Sequence, residues 1–381
     1  SHGFRPFFFF GTLYAGLAVL LWMPQYYGEL SLPTLMVPVD WHIHEMLFGF
    51  LGAVVTGFLF TAVPNWTGRM PVTGWPLLVL ILLWLAGRVA MVFSADIGWQ
   101  WTMVIDGAFL LAVLGVIAVE IFAGKNWRNF RVLIPLSLLV AANVGFHVEA
   151  HTQGITDISR RAALAAAIIL IMIIGGRIIP SFTRNWLARE APKGRMPATF
   201  GRFDAVALGL SVLALGLWVA LPLYLWTGAL AWLAAVLQSI RLARWVGWRA
   251  AGDLMVFILH IGYAFLPVGF ALIALGVFWP GQVPPAASTH ALGAGAIGIM
   301  TLAVMVRATH GHTGRELKAG IVIKLIFACV LVSVFARIAH ALGAPLPDVT
   351  LHIAAFAWAI GFVGFTVYHA PMLLKRSASA S

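Results

Sequence analysis

Twelve histidines in a 381-residue chain that is 61% hydrophobic are the residues whose chemistry has to be explained. Imidazole is the commonest side-chain metal ligand, and an ionisable group inside a membrane is costly enough to mark a functional path or a ligand site. Four histidines stand where long apolar runs begin or end. His42 and His44 open one run, His147 closes another and His290 opens a third. The topology set out below puts these four at similar depth in the outer third of a bilayer. Taken one at a time, each also reads as an interfacial polar residue or an interhelical hydrogen bonder.

Two positions on a regular helix are about 200° apart around its axis, so a helical His42 and His44 face different ways and serve different centres. If His42 lies ahead of the first turn, both converge on one metal. Glu45 follows the pair directly. It reads as a carboxylate that orients an imidazole or relays protons, or as an acid favoured near a helix N-terminus. His260 lies about two turns into a later run, and His312 sits in Gly311-His312-Thr313-Gly314-Arg315. These two read as axial ligands of a second heme, or, for the Gly-His segment, as a turn. His310 and His369 sit at helix ends, where a cation meets the helix dipole without any cofactor.

The rest of the composition narrows the metal. The single cysteine, Cys329, excludes an intramolecular disulfide and multi-cysteine zinc or iron–sulfur sites, and no C-x-x-C-H is present for a covalent heme. Intramembrane carboxylates are few: Glu45, Asp106, Glu120 and Glu149. Imidazole chemistry suits heme iron, copper, non-heme iron or zinc. Arg88, Arg177 and Arg337 lie within or at the ends of apolar runs. They pair with heme propionates, or with Asp106, Glu120 or backbone carbonyls.

These residues must be positioned by membrane helices. Only 10% of the chain is charged, against roughly 25% in soluble proteins, and apolar runs long enough to cross a bilayer recur throughout. The fold class expected is all-α, a polytopic membrane protein with spans at 7–24, 42–63, 75–93, 102–122, 131–148, 160–179, 204–221, 223–240, 253–279, 287–309, 319–342 and 349–369. The first run is too long and aromatic for a signal peptide. Leu221-Pro222 alone punctuates 204–240, which leaves a re-entrant element open there. Sorting the 24 Lys and Arg by side leaves Arg88, Arg160, Arg161 and Arg337 on one face and all others on the opposite one. Both termini are therefore expected in the cytoplasm, with Thr183–Arg202 as a cytoplasmic loop. The net charge of +11 reports this orientation and not nucleic-acid binding.

An internal repeat is visible. His44–Arg69 and His290–Arg315 have equal length and both end in Thr-Gly-Arg, with Gly49, Gly52 and Ala62 matching Gly295, Gly298 and Ala308. Ala86-Gly87-Arg88 parallels Phe335-Ala336-Arg337, and Pro180-Ser181-Phe182-Thr183 weakly parallels Pro64-Asn65-Trp66-Thr67. The reading is one transmembrane domain with possible repeats 1–126, 127–250 and 251–381, an architecture similar to the catalytic subunit of heme–copper oxidases.

Six segments in order carry a more specific likeness: Gly3-Phe4-Arg5-Pro6-Phe7-Phe8; Trp41-His42-Ile43-His44-Glu45-Met46; Gly49-Phe50; Pro64-Asn65-Trp66-Thr67-Gly68; Gly175-Gly176-Arg177-Ile178-Ile179-Pro180-Ser181-Phe182-Thr183-Arg184-Asn185; and Gly311-His312-Thr313-Gly314-Arg315. The chain resembles the NnrS family over nearly its whole length. The resemblance implies a bacterial inner-membrane protein with heme and copper, produced in the response to nitric oxide and associated with denitrification and nitrosative stress. By motif match it implies His42, His44, His147, His260, His290 and His312 as ligands, and leaves His2, His151, His310, His340, His352 and His369 without a role.

The function expected is an oxidoreductase that binds nitric oxide and reduces it to nitrous oxide. One or two hemes b are expected, with a high-spin heme beside a His-ligated metal near the periplasmic face, copper being one option for that metal. His42, His44, His147 and His290 form the centre, Glu45 handles protons and a quinol donates electrons. Two readings compete with it. One is a transporter or channel lined by intramembrane His and Arg; the other is a sensor or binder of nitric oxide without turnover.

Overall fold

The structure, a computed structural model, describes residues 3–374, so His2, Lys375 and Arg376 lie outside the described residues. Within that range twelve helices are long and apolar enough to cross a bilayer. They are α1 (Phe4–Tyr26), α2 (Pro38–Thr67), α3 (Trp75–Val92), α4 (Trp99–Ala123), α5 (Trp127–Gln153), α6 (Asp157–Glu190), α7 (Arg202–Ala220), α8 (Leu225–Ala243), α9 (Leu254–Phe278), α10 (Pro285–His312), α11 (Ile321–Ala341) and α12 (Pro347–Leu374). No strand occurs among the described residues. That is what a lipid solvent requires, because a helix satisfies its own backbone and hydrocarbon offers nothing in exchange. The chain is a multi-pass membrane protein.

Two boundaries differ from those expected, for identifiable reasons. α2 opens at Pro38, four residues before His42, because proline at a first helical position gives up only an amide that had no partner there. Both histidines are therefore helical. α6 does not stop at Ile179 but runs through Pro180 to Glu190, so the segment expected as a loop from Thr183 is helical in its first part. Thr183 Oγ1 donates to Ile179 O at 2.8 Å beside the proline, and Arg184 ties the following segment down by donating to Pro197 O at 2.8 Å. Residues 204–240 form two helices, α7 and α8, with the turn at Leu221–Tyr224 between them.

The chain divides into two compact units, Ser1–Ala166 with Phe362–Ser381, and Ala167–Gly361. In the first, Phe7, Phe8, Phe48, Phe60, Phe109, Phe146 and Trp84 are buried. In the second, a satisfied polar network crosses the core. Arg241 donates to Asp204 Oδ1 at 3.2 Å and to the Tyr263 hydroxyl at 2.8 Å, Tyr263 donates to Gln238 Oε1 at 2.7 Å, and Gln238 donates to Ser211 Oγ at 2.9 Å.

One local feature recurs in α2 and α10. Each begins with a short α-helical stretch that ends on a histidine, His44 and His290, and each then widens into π-helix, over Glu45–Phe50 and Ala291–Gly298. The two widened turns fall at the same register of the sequence repeat. A π turn shifts the backbone ladder by one residue and frees carbonyls for other donors, which is why such turns collect at functional sites. In α2 the carbonyl of Gly49 accepts the indole N–H of Trp84 at 2.9 Å.

Candidate metal centre

The widened turn of α2 brings His44, Glu45 and Gly49 against α3, α4 and α5. The first contact depends on glycine. A Cβ on Gly49 would stand 2.6 Å from Arg88 Nη1 and 2.9 Å from Glu45 Oε2, so only a bare backbone lets the guanidinium and the carboxylate meet there. Gly87 does the same between α3 and α4, where a Cβ would lie 3.0 Å from Asp106 Oδ1 and 3.2 Å from its Cα. Arg88 can then donate to Glu45 Oε2 with Nη1 and to Asp106 Oδ1 with Nη2. Tyr14, from α1, donates its hydroxyl to the same Oε2 of Glu45.

The histidines close the cluster. His44 Nδ1 lies 3.1 Å from Glu45 Oε1, and His44 Nε2 lies 3.1 Å from Asp106 Oδ2. From α5, His147 Nε2 approaches the same Asp106 Oδ2 at 3.2 Å, and Asn143, one turn away on the same face, donates to that oxygen at 2.7 Å. His44, Glu45, Asp106, Asn143 and His147 are all buried, as is Arg88. Phe48 and Phe146 wall the site, with His44 ring centroids 4.9 and 5.3 Å from theirs.

Two features of this arrangement ask for a cation. His44 faces a carboxylate through each ring nitrogen, yet a neutral imidazole can donate through only one. Its other nitrogen then turns a lone pair toward a carboxylate oxygen, which is stable only with a proton or a metal ion between them. The formal charges agree, because two carboxylates face one guanidinium in a dry site. One ligand atom each from His44, Asp106 and His147 lies within 4.8 Å of the others, the only such group of three among the described residues. Two imidazoles and one carboxylate with open positions form the donor set typical of non-heme iron(II), and copper(II) also accepts nitrogen and oxygen ligands. Glu45 and Arg88 behind them supply the hydrogen bonds that fix ligand orientation.

The sites read from the sequence separate in the structure. His44, His147 and Glu45 come together with Arg88. Arg88 is engaged by the protein's own carboxylates, the alternative to binding heme propionates. His42 points away from His44, as two helical positions must, and stacks on Trp22 with ring centroids 4.4 Å apart. His260 belongs to the second unit, where its Nε2 lies 2.8 Å from Thr183 Oγ1. His290 turns Nδ1 to its own helix at Ala286 O, 2.7 Å away. His352 and His369 do likewise at Asp348 O and Phe365 O, 2.7 and 3.0 Å away. His312 ends α10 and is exposed. Arg177 is exposed and Arg337 half-buried, both in the second unit. His151 is exposed and stacks on Trp99 at 4.5 Å.

The sequence alone gives Tyr14 and Asn143 no role and offers Asp106 only as a partner for arginine. The spacing of Asn143 to His147, one helical turn, was the one available signal. Nothing in the sequence marks Tyr14 apart from other aromatic residues of α1.

A family model described as NnrS protein matches residues 1–376. No curated protein matches the chain.

Proposed function

The chain belongs to the NnrS family, and on that footing we propose that it is a nitric oxide-handling metalloprotein of the bacterial inner membrane whose metal centre is His44, His147 and Asp106. The observation that carries the reading is the convergence of one ligand atom each from His44, Asp106 and His147 to within 4.8 Å of one another, the only such group among the described residues.

The cluster fits an ion and not a heme. The rings of His44 and His147 are 5.1 Å apart, nearly perpendicular, and their Nε2 atoms share one carboxylate oxygen. No porphyrin plane enters between them. Heme b, if bound through the remaining histidines His42, His260, His290 and His312, belongs elsewhere in the chain. A divalent first-row metal, iron(II) before copper(II), would supply a Lewis acid and a binding position for nitric oxide.

The protein's own residues do the rest. Asp106, anchored through Oδ1 by Arg88, holds Oδ2 toward both imidazoles. Glu45 fixes the ring of His44 through Nδ1 and, hydrogen-bonded to Tyr14, is also the proposed proton-handling group. Phe48 and Phe146 line the site with apolar rings, the surroundings that disfavour water and suit an apolar gas that partitions into lipid. Joining two nitric oxide molecules to nitrous oxide and water consumes two electrons and two protons, and we propose a quinol as the electron source. The arginine and lysine asymmetry supports a cytoplasmic side for both termini.

The test is nitric oxide consumption with nitrous oxide formation by the purified protein and a quinol analogue. Consumption that depends on His44 supports the reading, and turnover unaffected by His44→Ala contradicts it.

A further inference from the structure

Beside the cluster lies a buried polar atom that the site as described leaves unused. Asn143 is 1% exposed, and its Oδ1 has no hydrogen-bond partner among the described residues. Its Nδ2 donates to Asp106 Oδ2 at 2.7 Å and comes within 3.4 Å of His44 Nε2. The amide cannot be turned over, because the opposite orientation would set its oxygen 2.7 Å from a carboxylate oxygen. An unpaired amide oxygen in a dry site costs roughly 1–3 kcal/mol, a cost that leucine, of similar size, would avoid.

The free oxygen also has room kept beside it. Gly107 follows Asp106 on α4, and a Cβ there would meet Asn143 Oδ1 at 3.3 Å and nothing else within 4 Å. Asn143 therefore reaches the ligand atoms of His44 and Asp106 with its donor and faces a gap with its acceptor.

We propose that Asn143 orients a small protic ligand of this centre, water or an amine, whose O–H or N–H donates to the free carboxamide Oδ1. The inference rests on the metal centre proposed above. It assigns Asn143 to the ligand bound by the metal and not to the metal itself.

The test loads the full-length, detergent-purified protein with Co2+, whose visible bands report its ligands, and titrates it with neutral hydrazine, which binds the metal through one nitrogen and can donate N–H to Oδ1. Wild type is expected to bind one Co2+ per chain and to shift its bands with hydrazine. Asn143→Leu is expected to keep Co2+ affinity within about threefold and to bind hydrazine about tenfold more weakly. Asn143→Ser, which retains a hydroxyl, is expected to fall between the two. Gly107→Ala, which closes the gap without removing the amide, is expected to weaken hydrazine severalfold and leave Co2+ in place. Equal hydrazine affinity in wild type and Asn143→Leu overturns the inference while leaving the metal centre standing. Loss of Co2+ itself in both Asn143→Leu and Gly107→Ala also overturns it, since Asn143 is then a strut for Asp106. A wild type that takes up no Co2+ overturns the centre and the inference together, and is told apart by the failure of the unmutated protein.

Discussion

The Nε2 atom of His44 lies 3.1 Å from Oδ2 of Asp106. The two residues are 62 positions apart on α2 and α4, yet both are buried in the first unit, and the contact organises everything around it. Asp106 is held from behind by Arg88, His44 is held from behind by Glu45, and the two supports are themselves joined.

Arg88→Met removes the one guanidinium that faces two buried carboxylates. Leaving a buried charge uncompensated costs about 3–5 kcal/mol, so the variant is expected to unfold in detergent at a markedly lower temperature. Arg69→Met serves as the comparison. Arg69 pairs with Glu120 at 2.6 Å but its side chain is 45% exposed, and such pairs are worth about 0–1 kcal/mol. Thermal unfolding followed by tryptophan fluorescence should separate the two clearly.

Gly49→Ala forces a methyl group against Arg88 and Glu45, which cannot retreat without losing each other. A loss of stability of about 1–3 kcal/mol is expected from this single carbon. Gly115→Ala on α4 meets nothing within 4 Å and is expected to be neutral or stabilising by up to about 1 kcal/mol. Equal thermal stability of the two variants would contradict the packing described for Gly49.

Trp84→Phe keeps most of the ring and removes the N–H that serves the carbonyl freed by the π turn. A loss of about 1–2 kcal/mol is expected. Hydrogen exchange should rise in α2 around Gly49 and remain unchanged in α10, whose own π turn is untouched.

Much of the fold could be read from the sequence because lipid imposes a length and a composition on every span, and twelve apolar runs show both. Helix ends were harder. Proline was read as a stop at Pro180, whereas α6 continues through it, because a membrane helix can re-satisfy its backbone with neighbouring side chains. His42 and His44 were left open between one centre and two, and the choice fell to Pro38, which starts the helix early enough to turn them apart. The repeat foretold that His44 and His290 occupy like positions, but not that a π turn follows each. The cluster itself was half legible. His44, His147 and Glu45 stood out by type and depth, while Tyr14, Asp106 and Asn143 are ordinary residues that matter only because α1, α4 and α5 bring them to one point.

The central claim is that His44, His147 and Asp106 hold one metal ion. Metal analysis of the purified full-length protein beside His147→Ala and His42→Ala tests it most directly. One first-row metal ion per chain is expected at this centre, falling by about tenfold or more in His147→Ala and retained in His42→Ala, the ring at that position being the one that stacks on Trp22. A His147→Ala protein that folds and carries as much metal as wild type would contradict it.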